Sequence, residues 1–274
     1  MIYLQALPTQ GSSLEEPILK VEGLSVIRSG KLNIEDIDLT VRKGEFVGIV
    51  GPNGSGKTTL LLTILGILKA NSGKIRIYGS KPMSKELDGK ISWVSQAASN
   101  LPSDLRVTVR ELVELGALNR GNMFSRWRDK ENVNQAIEMV GLQDLENTDV
   151  GRLSGGQRQR AVIGRALASK AEFIILDEPL VGIDRQSRSS LLKLLDNLCH
   201  EANKTILMVS HDLAAIRQTA HRMIYLEESI KFDGETSIFP ELTELAELRG
   251  IMPVHGEDHH HHHHHHSDIK NGDL

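Results

Sequence analysis

Five apolar residues, Phe46 to Val50 (FVGIV), run directly into Gly51 to Thr58 (GPNGSGKT), and the helix-like TTLLLTILGIL follows. An apolar run of this length reads as a strand buried on both faces. The eight residues after it fit G-x-x-x-x-G-K-[ST], in which glycines let backbone N–H groups turn inward around phosphate oxygens. The helix start beyond adds partial positive charge at that point. The chain is therefore bound to a strand, a phosphate loop and a helix in fixed order. Gly51, Pro52, Asn53, Gly54, Ser55 and Gly56 are the cradle residues. Lys57 would neutralise the β and γ phosphates, the Thr58 hydroxyl would help hold magnesium, and Thr59 is a further expected nucleotide-binding residue.

Two further apolar runs, FIIL from Phe173 to Leu176 and TILMVS from Thr205 to Ser210, also end in polar residues, DEP and HD. Ligands of open α/β sheets gather beyond the carboxyl ends of the strands, so one site is expected from three strand ends. Asp177, delivered by a strand, is the expected magnesium ligand, and Glu178 beside it is the candidate to orient and polarise an attacking water. A solvated acidic pair is the alternative reading of the two carboxylates. Helical stretches between the runs favour parallel strands with crossovers. Ile18 to Val26, Leu32 to Val41, Lys74 to Tyr78 and Met223 to Phe232 suggest a flanking antiparallel sheet. Between Thr108 and Val150, VRELVELGALNR and ENVNQAIEMVGL read as helices broken by Gly121 and the RWR patch around Trp127. Scaffolding and docking are both open for this insertion.

At 274 residues and 39% hydrophobic, the chain suffices for one domain with a sizeable core and a smaller subdomain. A net charge of -4 argues against nucleic acid as a partner, since affinity for a phosphate backbone needs clustered Lys and Arg. A single cysteine, Cys199, excludes an intramolecular disulfide and falls in a helical-looking stretch, where packing is its expected role. Residues 1–17 read as a loosely held lead-in without the pattern of a secretory signal. No run approaches the roughly 18 uncharged apolar residues of a membrane span, so a membrane role would be exercised through another chain.

A third polar piece, LSGGQRQR from Leu153 to Arg160, offers a serine, two glycines and a helix start, which is the makeup of a second anion cradle. The set formed by GPNGSGKT, LSGGQRQR, ILDEP and VSHD, in that order, resembles the nucleotide-binding subunit of ABC transporters over roughly residues 18–239. That resemblance implies an α/β P-loop NTPase with a mostly parallel core sheet, a flanking antiparallel subdomain and a small helical subdomain near residues 97–150. It implies ATP and Mg2+ as ligands and ATP hydrolysis as the activity. It further implies pairing with a second copy, integral-membrane permease subunits at the cytoplasmic face of the membrane and, for an importer, an extracytoplasmic solute-binding protein.

By the same resemblance, Ser154, Gly155, Gly156 and Gln157 would touch the γ-phosphate held by the second copy. Gln96 in WVSQ would sense magnesium and link the site to the helical subdomain, and Asp184 in VGID would lie on the loop that crosses between copies. His211 in VSHD would contact the γ-phosphate and hold the catalytic geometry. Where the family stacks adenine on an aromatic residue, this chain has Arg28. Its guanidinium could stack on the base, or it could be a surface charge. A soluble ABC ATPase normally fuses two modules or inserts a coiled coil, and a plain P-loop kinase or GTPase lacks LSGGQ.

The LRVTVRELVELG stretch and the spacing from LDEPLVGID to HDL are most similar to the manganese and zinc importer branch, although importers of iron chelates look much alike. In the extension 240–274, His255 is followed by EDHHHHHHHH, with an unbroken run from His259 to His266. Neutral imidazoles bind zinc, copper, nickel and cobalt. A native metal-binding tract and a purification tag are both open.

Overall fold

All five residues are buried in each of β3 (Phe46–Val50), β6 (Phe173–Asp177) and β7 (Thr205–Val209), as expected of strands covered on both faces. The computed structural model describes residues 17–99, 106–118 and 126–240. The described residues up to Phe239 form one compact unit. The lead-in up to residue 16, Gly121, and the extension with its histidine run lie outside the described residues.

The remaining strands are β1 (Leu19–Arg28), β2 (Lys31–Val41), β4 (Ser72–Ile77), β5 (Ile91–Val94), β8 (Arg222–Glu227) and β9 (Ser229–Glu235). Six form one sheet in the order β5-β6-β7-β3-β8-β9. Every neighbouring pair is parallel except the last, where β9 returns antiparallel along β8. A three-stranded antiparallel sheet, β2-β1-β4, flanks it. The hairpin between β1 and β2 turns on Ser29 and Gly30, both at positive φ, the geometry of a two-residue turn that matches strand twist.

A first sequence expectation is corrected in the core sheet. Met223 to Phe232 does not join the flanking sheet. It is two strands of the core sheet, β8 and β9, joined at Glu228, which sits at φ 59°. The four residues Met223 to Leu226 are consecutively buried, and Gly48 in β3 pairs with Met223. An unbroken apolar run belongs in a sheet covered on both sides.

The helices are α1 (Lys57–Ile64), α2 (Val109–Ala117), α3 (Arg126–Met139), α4 (Gly155–Ala168), α5 (Arg185–His200) and α6 (Leu213–Thr219). Thr108 starts α2 with a capping box, its hydroxyl accepting from Glu111 N–H while the Glu111 carboxylate accepts from Thr108 N–H. The RWR patch, expected to break the helical pattern, is instead the first turn of α3. No Gly or Pro follows it before Met139, so the helix runs through. Small residues let α2, α3 and α4 meet. A Cβ on Gly116 would fall 1.8 Å from the Arg165 carbonyl, and one on Gly164 would lie 3.2 Å from Val113 and 3.3 Å from Val140. Cys199 is buried in α5 with its thiol on the Gly44 carbonyl at 3.1 Å, and burial pushes that thiol up to about 11.

Helix α6 lies directly on the middle of the core sheet. A Cβ on Gly48 would stand 2.1 Å from Cγ2 of Ile216 and 3.3 Å from Cβ of Ala220. Ile216 is β-branched and fully buried, so it has no rotamer into which to retreat. Gly48→Ala is expected to destabilise the protein by about 1–3 kcal/mol through overpacking. Urea denaturation of the full chain measures it.

Candidate functional site

The loop between β3 and α1 is pressed between the two sheets. A Cβ on Gly51 would stand 2.1 Å from the Leu226 carbonyl, and one on Gly56, at φ 98°, would stand 2.3 Å from Ile34 and 2.8 Å from the Asn33 carbonyl. Only glycine fits at either position. Three chain segments are stitched together here: Glu228 N–H donates to Ser55 O at 3.2 Å, and Glu35 N–H donates to Glu228 O at 2.7 Å. Helix α1 begins without a side-chain cap or an acidic residue in its first turn. Its leading N–H groups and its positive end are therefore offered to an outside acceptor.

Lys57 is 6% exposed, and its ammonium donates to the carbonyls of Gly51 and Pro52, both at 2.8 Å. Burial lowers its pKa, while Glu178 and Asp177 act in the opposite sense. The Ser55 hydroxyl is buried without a hydrogen-bond partner. A cation turned onto its own loop, an open helix start and an unsatisfied buried hydroxyl together suit an anionic ligand.

Asp177 ends β6 at 4% exposure, with Oδ1 facing the Thr58 hydroxyl at 3.5 Å. Burial raises its carboxyl above the usual range, and the adjacent Glu178 adds to the shift. A carboxylate and a hydroxyl so arranged fit a hard cation, which would take both as oxygen ligands. Glu178 adopts φ 51°, uncommon for a non-glycine residue, and its N–H continues the ladder by donating to Val209 O at 2.9 Å. Its Oε2 lies 2.8 Å from His211 Nδ1. A carboxylate can only accept, so Nδ1 carries a proton and donates it. The histidine side chain is 57% exposed and the glutamate 11%.

Ser154 to Gln157 form a separate cluster at the start of α4. Ser154 Oγ accepts from Gln157 N–H at 3.2 Å, and Gln157 Oε1 accepts from Ser154 N–H at 3.0 Å, a second capping box. A Cβ on Gly155 would lie 3.0 Å from Gly182 O, and one on Gly156 would collide with Ser187 at 2.4 Å. This cluster therefore rests on the loop and helix that follow Glu178. Asp184 caps α5 by accepting from Ser187 N–H at 2.9 Å, and the Ser187 contacts hold its carboxyl below the ordinary range.

The structure thus joins Thr58 to Asp177 and Glu178 to His211 by direct contacts, with Lys57 near enough for both carboxylates to act on its charge. Gln96 is exposed in the turn Gln96–Ser99 that follows β5, the strand beside β6. Arg28 is exposed at the β1–β2 hairpin, two pairs along from Val26 and Ile34, the latter touching Gly56. Three residues around His211 escaped the sequence reading. Ser210 is buried, Asp212 caps α6 by accepting from Ala215 N–H, and Arg188 pairs with Asp212. Asp212 was detectable as an N-cap residue before LAAIRQT. Arg188 carries no local signal.

A raised carboxyl pKa means that ionising Asp177 in the fold is costly. Its charge therefore works against folding above the ordinary carboxylate range, and the penalty vanishes in acid, where the carboxyl is protonated in folded and unfolded chains alike. Asp177→Asn is expected to raise the thermal midpoint of the nucleotide-free protein at neutral pH, with the gain shrinking as pH falls through the raised pKa towards the ordinary carboxylate range. Thermal melts across the pH series measure it.

Residues 34–181 match the family model described as ABC transporter. With the phosphate loop, the acidic strand end and the histidine beyond β7 in one place, the chain belongs to the ABC transporter family. It is an ATPase subunit of that family, and among the described residues no helix is long and apolar enough to cross a membrane. It is similar to the zinc uptake system ATP-binding protein ZurA of Listeria monocytogenes, at 37% identity over 85% of this chain and 93% of that one. It is also similar to the manganese transport system ATP-binding protein MntB of Halalkalibacterium halodurans, at 35% identity over 78% and 84%. Among solved structures it resembles the ATP-binding cassette MJ0796, a dimer in a post-hydrolysis state bound to ADP and Pi. That match has TM-score 0.66 and 30% identity, covering 81% of this chain and all of that one.

Proposed function

We propose that this chain binds ATP with Mg2+ at Gly51 to Thr59 and, paired with a second copy, hydrolyses it to drive a permease that imports zinc or manganese. The observation that carries the chemistry is the 2.8 Å pair between Glu178 and His211, set beside Lys57 and Asp177. ATP would draw Lys57 from the carbonyls of Gly51 and Pro52 onto its β and γ phosphates, whose oxygens also take the N–H groups at the start of α1. Thr58, Asp177 and Gln96 would hold Mg2+, which when bound offsets phosphate charge. Glu178 orients the attacking water and accepts its proton. His211 fixes the direction of that carboxylate through Nδ1–H and keeps Nε2 for the γ-phosphate side.

Ser154 to Gln157 complete the site of the other copy, and Asp184 lies on the loop between copies. Support comes from the footing of Gly155 and Gly156 on Gly182 and Ser187, next to Asp184, and from the dimeric state of MJ0796. The import reading and the cargo rest on the resemblance to ZurA and MntB, which are named for zinc uptake and manganese transport. The chain would then work at the cytoplasmic face of the membrane, held there by the permease. Uptake of labelled zinc and manganese in vesicles carrying the cognate permease tests the cargo.

Glu178→Gln is expected to lower hydrolysis at least about 100-fold while trapping an ATP-dependent dimer. Size-exclusion chromatography with light scattering reads the association, and a variant that stayed monomeric at saturating ATP would sink the paired-site mechanism. Arg28 is assigned to stack on the base, because it is exposed at the hairpin end that abuts the phosphate loop. Arg28→Ala is expected to weaken ATP binding about two- to fivefold, the value of a cation–π contact at an exposed site. Unchanged affinity in a calorimetric titration would make Arg28 a surface charge.

A further inference from the structure

We propose that Arg188 is a positioning residue for ATP hydrolysis, holding the His211 loop in register with α5 through its ion pair with Asp212. The proposal rests on the reading of Glu178 and His211 as the catalytic pair. His211 side-chain geometry depends on one contact, the 2.8 Å bond to Glu178, and more than half of the ring is exposed. Its orientation must therefore come from the backbone on either side. On the strand side this is secure, because Ser210 is fully buried and its N–H donates to Ile49 O at 3.1 Å.

On the other side α6 is seated on β3 through Ile216, and the polar contacts of the loop converge on Asp212. Its N–H donates to Ser210 Oγ at 3.0 Å. One carboxylate oxygen accepts from Ala215 N–H at 3.0 Å to cap α6, and the other accepts from Arg188 Nη1 at 2.6 Å. Among the described residues, Arg188 is the hydrogen-bonding partner that Asp212 has outside the stretch Ser210 to Ile216. Helix α5 is a firm support for it. Asp184 caps the helix start, Gly156 admits Ser187 against α4, and Arg160 bonds Ser190 one turn further along.

A cavity of about 350 Å³ separates Leu180 to Gly182 on one side from Ser210 to Asp212 on the other, with Arg188 in its lining. The loop thus has room to shift if the guanidinium is removed, and a shift of an ångström breaks the Glu178 contact. The pair is too exposed, at 41% and 21%, to contribute much to overall stability. Its effect should therefore fall on geometry.

The test compares Arg188→Ala, Arg188→Lys, His211→Ala and the Arg188→Ala/His211→Ala double variant of the full chain in steady-state ATP hydrolysis. Arg188→Ala is expected to lower kcat about tenfold while KM for ATP stays within about twofold, and Arg188→Lys to recover part of the loss. The double variant is expected to be no slower than His211→Ala, because Arg188 acts through the histidine. Asp212→Asn, which keeps the α6 cap but weakens the Arg188 bond, is expected to follow Arg188→Ala and covers the case in which that variant folds poorly. Losses that multiply in the double variant would overturn the proposal, as would a normal kcat in Arg188→Ala alongside an impaired His211→Ala. A normal kcat in His211→Ala would overturn the catalytic pair and the proposal with it.

Discussion

The whole site depends on the hydrogen-bond register of three neighbouring strands. Asp177 stands opposite Val209 and Val209 opposite Ile49, so β6, β7 and β3 end together. The ladder continues one step past the strands, with Glu178 N–H on Val209 O and Ser210 N–H on Ile49 O. These two bonds bring the acidic residues, the histidine loop and the phosphate loop to one edge. A slip of one residue would turn Asp177 to the opposite face, because side chains alternate along a strand. Five consecutive buried residues in each strand make such a slip costly.

Against that frame, the electrostatics are poised rather than relaxed. Burial disfavours charge on both Lys57 and Asp177, yet each lowers the other's cost across the loop. The Lys57 ammonium is satisfied by two carbonyls, which can be exchanged for phosphate oxygens without moving the backbone that carries them. The same economy appears at Glu178, where an unfavourable φ is tolerated because the backbone bond to Val209 and the histidine fix the residue from both ends.

Much of this was legible in the residues themselves. Unbroken apolar runs announced the central strands, and the polar residues at their ends announced the loops that meet. The capping residues Thr108, Ser154 and Asp184 sit where local chemistry puts them. The sequence misled where burial and alternation were confused. Met223 to Leu226 is a continuous apolar run, but grouped with the half-polar Ser229 to Phe232 it looked like an edge of the flanking sheet. RWR looked like a break because its residues are charged and bulky, although nothing in the stretch opposes a helix. Arg188 was invisible for another reason. Its meaning lies in a residue 24 positions away, and ion pairs across elements leave no periodic trace.

The turn at Glu228 has a wider consequence. Its N–H holds Ser55 and its carbonyl holds Glu35, so a single peptide-bonded residue at left-handed φ joins the flanking sheet to the phosphate loop. Detachment of β2 and loosening of the loop are then one opening event rather than two. Amide exchange at Glu35 and Glu228 should slow together when ATP fills the loop. The flanking sheet is in this sense a reporter of occupancy, tied to the cradle through Glu228 as well as through the packing of Ile34 on Gly56.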